Sequence, residues 1–215
     1  MTLALFDLDN TLLVGDSDHL WGEFLIRKQL VSEAEHRAVN DQYYRDYLDS
    51  TLDVGEYLNF AMAPVVGKTL TDAKGLLDEY LTEVIPMIAP KTPELLEHHR
   101  SQGHTLVVIT ATNQILANGI CRYLGIEHLI ATRVKMDGET IVGGLDGVAN
   151  FQSGKIDNLE RWAQTNIDWE SAYFYSDSHN DIPLLEKVGK PVVVDPDEQL
   201  RDWAIQQSVE IRSLR

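Results

Sequence analysis

The sequence predicts an α/β fold, a parallel sheet flanked by helices, with an inserted helical subdomain after its first strand. Three observations carry that expectation. Short apolar runs alternate with amphipathic stretches through most of the 215 residues, the rhythm of βαβ units around a parallel sheet. Between residues 16 and 87 that rhythm stops and only helical spacing is found. The composition, 44% hydrophobic and 24% charged, is that of an ordinary globular protein. A chain of this length buries roughly 70% of its unfolded surface, enough for one core and an added subdomain.

The run Leu3-Ala4-Leu5-Phe6 is too short for a helix and reads as a buried strand ending at Asp7. Leu20 with Phe24, Trp21 with Leu25, and Tyr44 with Leu48 recur at i, i+4, the spacing of amphipathic helices. Two further helices are expected over 53–63 and 70–85. Pro86 and Pro90 then break the pattern and mark a linker, so this segment and Gly15 are candidate hinges. Thr92-Pro93 reads as an N-cap followed by proline at the first helical position. That helix leads into a strand over 105–109, a helix over 113–123 and a strand over 128–132. Residues 133–142 form a predicted hairpin with Asp137-Gly138 at its turn. A helix over 155–165, a strand over 172–175, a short helix over 181–187 and a strand over 191–194 follow. A last helix and a strand over 209–211 complete the pattern. The expected division is residues 1–15 and 88–215 for the α/β core and 16–87 for a helical cap. A structureless loop of that length is implausible, and strand ends are where α/β proteins bind ligands.

Charge narrows the partners. Lys and Arg number 18 against 34 Asp and Glu, a formal net charge of −16, which argues against nucleic acid and against an anionic membrane surface. Residues 16–87 hold 14 acids and 6 bases, half the net charge in a third of the chain. The single cysteine, Cys121, excludes an intramolecular disulfide and a cysteine-based zinc cluster. With no basic leader and no long apolar run, the expectation is a soluble, cytoplasmic protein, monomeric or homodimeric.

Four features carry chemistry. Asp7-Leu8-Asp9-Asn10-Thr11 follows the first strand, and two carboxylates two residues apart there can share one small space that invites Mg2+. Aspartates also begin turns and cap helices, so the weight comes from the three features that follow. Thr110, then Ala111 and Thr112, follows the second strand, where a hydroxyl and the N–H groups of a turn cradle phosphate oxygens. Lys155, in Ser153-Gly154-Lys155-Ile156, stands at a helix start, where the macrodipole disfavours it; a surface lysine is the ordinary alternative. Asp177 and Asp181, in Ser176-Asp177-Ser178-His179-Asn180-Asp181, follow another buried strand and resemble the metal half of a site.

In that order the motifs resemble the haloacid dehalogenase superfamily over essentially the whole chain. The helical insertion after the first motif is similar to the branch that contains phosphoserine phosphatases and histidinol-phosphatases. The resemblance implies a Rossmann-like sheet with a helical cap, and an Mg2+-dependent phosphatase for a small phosphorylated metabolite, acting through an aspartyl-phosphate. It implies Asp7 as nucleophile and Asp9 as general acid and base, with Thr110, Ala111, Lys155 and Asn180 binding the phosphoryl group or substrate. Asp7, Asp9 through its main-chain carbonyl, and Asp177 would hold the metal, supported by Asp181. Dehalogenase-type members lack the second aspartate, because halide needs no proton; Asp9 therefore points to phosphate chemistry.

By the same resemblance Asp16, nine residues after the nucleophile, reaches the substrate cavity, where phosphoserine phosphatases carry a glutamate facing the amine. Asp16 is equally a helix N-cap. Neither Arg37 nor Arg45 matches the arginine that such enzymes use for the substrate carboxylate. An amine without a carboxylate, L-histidinol phosphate, is thus the expected substrate, with phosphoserine or another small amino-alcohol phosphate as the alternative. Two other classes fit parts of the pattern. A phospho-acceptor signalling module leaves the insertion unexplained, and a catalytically idle scaffold leaves the intact motifs unexplained. Gly67-Lys68-Thr69 mimics the end of a nucleotide-binding loop, but Met62 stands where that loop needs glycine. His98, His99 and His104 are expected to be solvated. Cys121, Trp21, Trp162, Trp169 and Trp203 are expected to serve packing.

Overall fold

The computed structural model describes residues 2–215. It begins with β1 (Leu3–Phe6), followed by helices α1 (Ser17–Arg27), α2 (Glu33–Leu48), α3 (Val54–Met62), α4 (Leu70–Val84) and α5 (Thr92–Ser101). Then come β2 (Thr105–Asn113), α6 (Gln114–Tyr123), β3 (His128–Thr132) and the hairpin β4 (Val134–Asp137) with β5 (Thr140–Leu145). The chain continues through α7 (Gly154–Ala163), β6 (Tyr173–Ser176), α8 (Ile182–Leu185), β7 (Lys190–Val194), α9 (Glu198–Gln207) and β8 (Glu210–Arg212).

Six strands form one parallel sheet in the order β3-β2-β1-β6-β7-β8. The inner strands β1, β2 and β6 are buried on both faces because helices cover both, whereas the edge strand β8 is exposed. Leu3 and Leu5 of β1, with Val107 and Phe174, pack against Leu159 of α7, Leu184 of α8 and Leu200 of α9. Ala4 and Phe6 point the other way, with Val108 and Tyr175, toward Leu96 of α5 and Ile120 of α6. That is the two-residue alternation of a strand serving two layers. β1 pairs with β2 on one side (Phe6 with Val108) and with β6 on the other (Phe6 with Tyr175). The chain fills the sheet outward from β1 in one direction and then in the other. The carboxyl end of β1 is therefore a topological switch point, the crevice where such sheets bind ligands.

Helices α1–α4 lie between β1 and β2, as the loss of strand rhythm predicts. They have no core of their own. Trp21, Phe24, Met62 and Tyr80 join the same apolar cluster as Leu96, Leu116 and Ile120 beneath them. Trp21 is fully buried; its Nε1 donates to Ala61 O at 2.8 Å and its ring meets Tyr80 edge-on at 5.2 Å. The hairpin also holds the insertion: Gly67 N donates to Ile141 O, Ile141 N to Lys68 O, and Leu70 N to Glu139 O. The nucleotide-loop mimic at 67–69 is thus a backbone pairing site, and Thr69 caps α4 in a reciprocal box with Asp72.

Several expectations need correction. The cap of α5 is Lys91, and Thr92 is its first helical residue; the Thr92 hydroxyl donates to Leu12 O at 2.8 Å and fastens the helix to the loop after β1. β2 runs to Asn113 rather than stopping at 109, because it continues alongside β3. Helix α3 ends at Met62 and tightens into one 3₁₀ turn at Ala63–Val65, where Pro64 stands. His98 is exposed as expected, but His99 is fully buried, with Nε2 on Tyr175 Oη (2.9 Å) and Nδ1 on His104 Nδ1 (2.8 Å). Burial, then the neighbouring His104, pushes its pKa down to about 4, so it packs as a neutral ring. Cys121 is buried as expected, and burial pushes its thiol up to about 12.

The turn into α7 sets the position of Lys155 through a close backbone approach. A Cβ on Gly154 would lie 2.1 Å from Ala149 O, so any side chain there must displace backbone. Gly154→Ala is expected to destabilise the protein by about 1–3 kcal/mol, read as a lower Tm in calorimetry. An unchanged Tm would contradict the packing described for this turn.

Candidate active site

The site begins where β1 runs out. Asp7 stays extended and its N–H donates to Tyr175 O at 2.9 Å, continuing the pairing with β6 for one residue. The chain then turns tightly through Leu8–Leu12, with Asp9 extended and Asn10 left-handed (φ 53°). Asn10 N donates to Gly15 O and Leu13 N to Leu8 O. This turn brings Asp7 and Asp9 to one cleft despite the single residue between them. Asparagine tolerates that conformation better than most residues.

The two carboxylates have different partners. Asp7 Oδ1 accepts from Lys155 Nζ at 2.7 Å, and the same ammonium donates to Asp181 Oδ2 at 2.7 Å. Lys155 is 2% exposed, which excludes the surface-lysine reading. Burial opposes its charge, but Asp181 and Asp7 outweigh that and raise its pKa. Asp181 Oδ2 also accepts from Ser176 Oγ at 2.6 Å. Asp9 is held by neutral donors: Oδ1 by Ser17 N at 2.6 Å and Oδ2 by Thr112 Oγ1 at 2.5 Å. Burial, then the charge of Asp16, pushes the Asp9 carboxyl up to about 6. Burial also pushes Asp7 up to about 7, against the pull of Lys155.

Of the other predicted residues, Thr110 and Ala111 line the cleft beside Asp7 and Asp9. The Thr110 hydroxyl accepts from Thr112 N at 3.1 Å. Asp177 takes a hydrogen bond from Thr11 Oγ1 at 3.0 Å, and burial with the nearby Asp7 charge raises its pKa well above the usual range. Asp16 does both things expected of it: it caps α1 by accepting from His19 N at 2.7 Å, and it lines the cleft. Asn180 is engaged elsewhere. Its carboxamide donates to Tyr47 O (3.0 Å) and accepts from Ser50 Oγ (2.6 Å), so it joins the core to the insertion.

Sequence reasoning missed several members. Asp18 lines the cleft next to Asp16, where burial, then the charges of Asp16 and Asp9, raises its pKa well above normal. Asn150 positions Thr110 from behind, donating to Thr110 O at 2.8 Å and Ile130 O at 3.0 Å. Tyr43, Tyr44, Tyr47 and Tyr57 wall the side of the cleft contributed by α2 and α3. The crowding of Asp16-Ser17-Asp18 so near Asp7 and Asp9 was a usable signal for Asp18; Asn150 had none. The cleft is ≈ 700 Å³, opens to solvent, and is lined by no Lys or Arg among the described residues.

A divalent cation fits this site by its donor chemistry. Asp7, Asp9 and Asp177 bring hard oxygens and raised carboxyl pKa values to a place with one ammonium, already shared by Asp7 and Asp181. Among the described residues no three His, Cys, Asp or Glu side chains form a ready metal cage. The carboxylate oxygens of Asp7 and Asp177 are the kind of donor that Mg2+ takes, with water or phosphate oxygens in its remaining positions. On the set implied by the sequence resemblance, Asp7, Asp177 and the Asp9 main-chain carbonyl would hold it.

Residues 4–186 match the family model of the haloacid dehalogenase-like hydrolases. The chain is 38% identical over 208 residues to a histidinol-phosphatase of Neisseria meningitidis, covering 94% of each. It is 29% identical to a phosphoserine phosphatase of Mycobacterium tuberculosis over 99% of this chain and 70% of the relative. A Bordetella pertussis protein of unknown function superposes over the full length of both chains with a TM-score of 0.90 at 31% identity. A phospho-aspartyl intermediate analogue of phosphoserine phosphatase shares the fold, with a TM-score of 0.67 at 16% identity over 100% of this chain and 93% of that one.

The raised carboxyl pKa values have a thermodynamic consequence. Between the ordinary carboxylate range and about pH 6 for Asp9 or about pH 7 for Asp7, burial favours protons on these groups that the unfolded chain has already lost. Their stabilising contribution is complete below the ordinary carboxylate range and is lost as pH rises through about 6 and about 7. Excess Mg2+ is therefore expected to raise Tm by about 5 °C near pH 7.5 and far less near pH 5.5. Equal responses at the two pH values in thermal melts would refute the assignment.

Proposed function

The chain belongs to the haloacid dehalogenase-like hydrolase family, and on that premise we propose that it is a phosphatase for a small phosphate monoester, L-histidinol phosphate. The observation that carries this reading is the pairing of Asp7, fixed by the Lys155 ammonium, with Asp9, whose carboxyl sits at about 6. An Asp7 oxygen attacks phosphorus, the bond to the leaving alkoxide breaks, and Asp9 as the acid gives that alkoxide its proton. Asp9, now a carboxylate, takes a proton from water; the water oxygen attacks phosphorus and the bond to Asp7 breaks. A group with a pKa near the working pH serves both directions. This reading assigns Lys155, the Thr110 hydroxyl and the Ala111 N–H to the equatorial oxygens, where the reaction depends on positioning and charge. Mg2+, when bound, supplies positive charge to those oxygens.

In this reading residues 16–87 act as a cap that surrounds the leaving group. Asp16 and Asp18 favour a cationic amine, and no Lys or Arg among the described residues of the cleft would pair with a substrate carboxylate. That favours histidinol phosphate over phosphoserine, in line with the name of the 38% identical relative. Among the described residues no helix is long and apolar enough to cross a membrane.

Asp7→Asn is expected to lower kcat by at least about 10³-fold, and EDTA to abolish turnover that Mg2+ restores. An enzyme unaffected by Asp7→Asn has another nucleophile. Asp16→Asn preserves the cap of α1, since asparagine caps as well as aspartate, while removing the charge. It should lower kcat/KM for histidinol phosphate about tenfold with Tm nearly unchanged. Higher kcat/KM for phosphoserine than for histidinol phosphate in the unmodified protein would overturn the substrate.

A further inference from the structure

The turn after α2 is joined to the loop carrying Asp177 and Asp181 by a hydrogen-bonded relay. Ser50 Oγ donates to Asn180 Oδ1 at 2.6 Å and lies 2.8 Å from His179 Nε2. His179 Nδ1 contacts Asp197 Oδ2 at 2.8 Å, and the same oxygen accepts from His179 N at 2.7 Å. Asp197 is itself fixed, because its Oδ1 caps α9 through Leu200 N at 2.7 Å. Asn180 Nδ2 returns to the insertion by donating to Tyr47 O at 3.0 Å. A rigid core helix is thus connected, side chain by side chain, to one edge of the cleft.

The order Ser-His-Asp is that of a hydrolytic triad, but this one has no means of stabilising an oxyanion from its own turn. Ser50 N is bonded to Tyr47 O and Thr51 N to Asp46 O, and the Ser50 hydroxyl proton points to Asn180. The relay lies at the boundary between insertion and core, and Tyr47, one turn of α2 before Ser50, lines the cleft. Ser50 also sits at φ 60°, a left-handed conformation that a serine occupies at a cost. The hydroxyl contacts hold the turn in that shape.

We propose that Ser50 is a positioning residue: its hydroxyl, placed between His179 Nε2 and Asn180 Oδ1, holds the cap closed over the site and keeps Tyr47 at the wall of the cleft. The inference rests on the phosphatase reading of that site. A closing contact raises the fraction of molecules competent to bind, so its loss appears in apparent affinity rather than in the chemical step.

Ser50→Gly is the informative variant, because glycine accepts φ 60° without strain while losing the hydroxyl together with Cβ; Ser50→Ala removes the hydroxyl alone but strains the turn. Ser50→Gly and Ser50→Ala are both expected to raise KM for histidinol phosphate about tenfold while kcat changes less than about twofold. Ser50→Gly should keep Tm at or above that of the unmodified protein. Amide exchange across 46–52 should be faster in Ser50→Gly, with or without inorganic phosphate. Unchanged KM in Ser50→Gly, or a fall in kcat with KM unchanged, overturns the proposal. If the unmodified protein hydrolyses no phosphate monoester, the phosphatase reading fails instead, and the exchange rates at 46–52 still decide whether the hydroxyl holds the turn.

Discussion

Lys155 is buried between Asp7 and Asp181, and most of the site follows from what that pairing demands. An unpaired buried charge costs several kcal/mol, and a buried ion pair is tolerated only where its geometry and remaining hydrogen bonds are good. Here the ammonium lies 2.7 Å from each carboxylate, and Ser176 supplies a further donor to Asp181. Three elements are fixed by one nitrogen: the end of β1, the start of α7 and the loop after β6. The close approach of Gly154 to Ala149 lets α7 come near enough for Lys155 to reach.

One ammonium cannot neutralise the acids gathered around Asp7. Asp9, Asp16, Asp18 and Asp177 remain, each with a raised carboxyl pKa whose largest cause is burial. Such a cluster persists in a folded protein if its members hold protons or if cations neutralise them. In the proposed reading the phosphoryl side answers with Lys155 and a site suited to a divalent ion. The insertion side has neither, and its acids line the space open to the leaving group. On the proposed reading, the acids beside Lys155 attract a divalent ion and those of the insertion favour a cationic leaving group.

The insertion behaves as part of one packed body. Trp21 and Tyr80 share a core with α5 and α6, the β4–β5 hairpin pairs with 67–70, and the Ser50 relay closes the remaining edge. Its motion relative to the sheet must therefore be confined to a few contacts that can break without exposing the core. The Ser50 contacts are polar and lie at the boundary, which makes them suitable for that part.

The chain by itself indicated the strands of the sheet and singled out Asp7, Asp9, Thr110, Lys155 and Asp177 as candidate reactive groups. Apolar runs of four or five residues ending at Asp7, Thr110 and Asp177 are readable because buried parallel strands are continuously hydrophobic and their ends are not. Local spacing also sufficed for the hairpin turn and the helical insertion. Spacing did not reveal His99 as a buried ring, since its partner Tyr175 lies 76 residues away. Nor did it reveal Asn150 behind Thr110 or Thr112 on Asp9, 103 residues apart. Lys155 could be chosen by its place in a motif, but only the fold buries it against two carboxylates 148 and 26 residues distant. Sequence supplies backbone preference and chemical type, which act over one or two turns. Burial, and with it the pKa of every acid in the cleft, is a property of what the rest of the chain places around each residue.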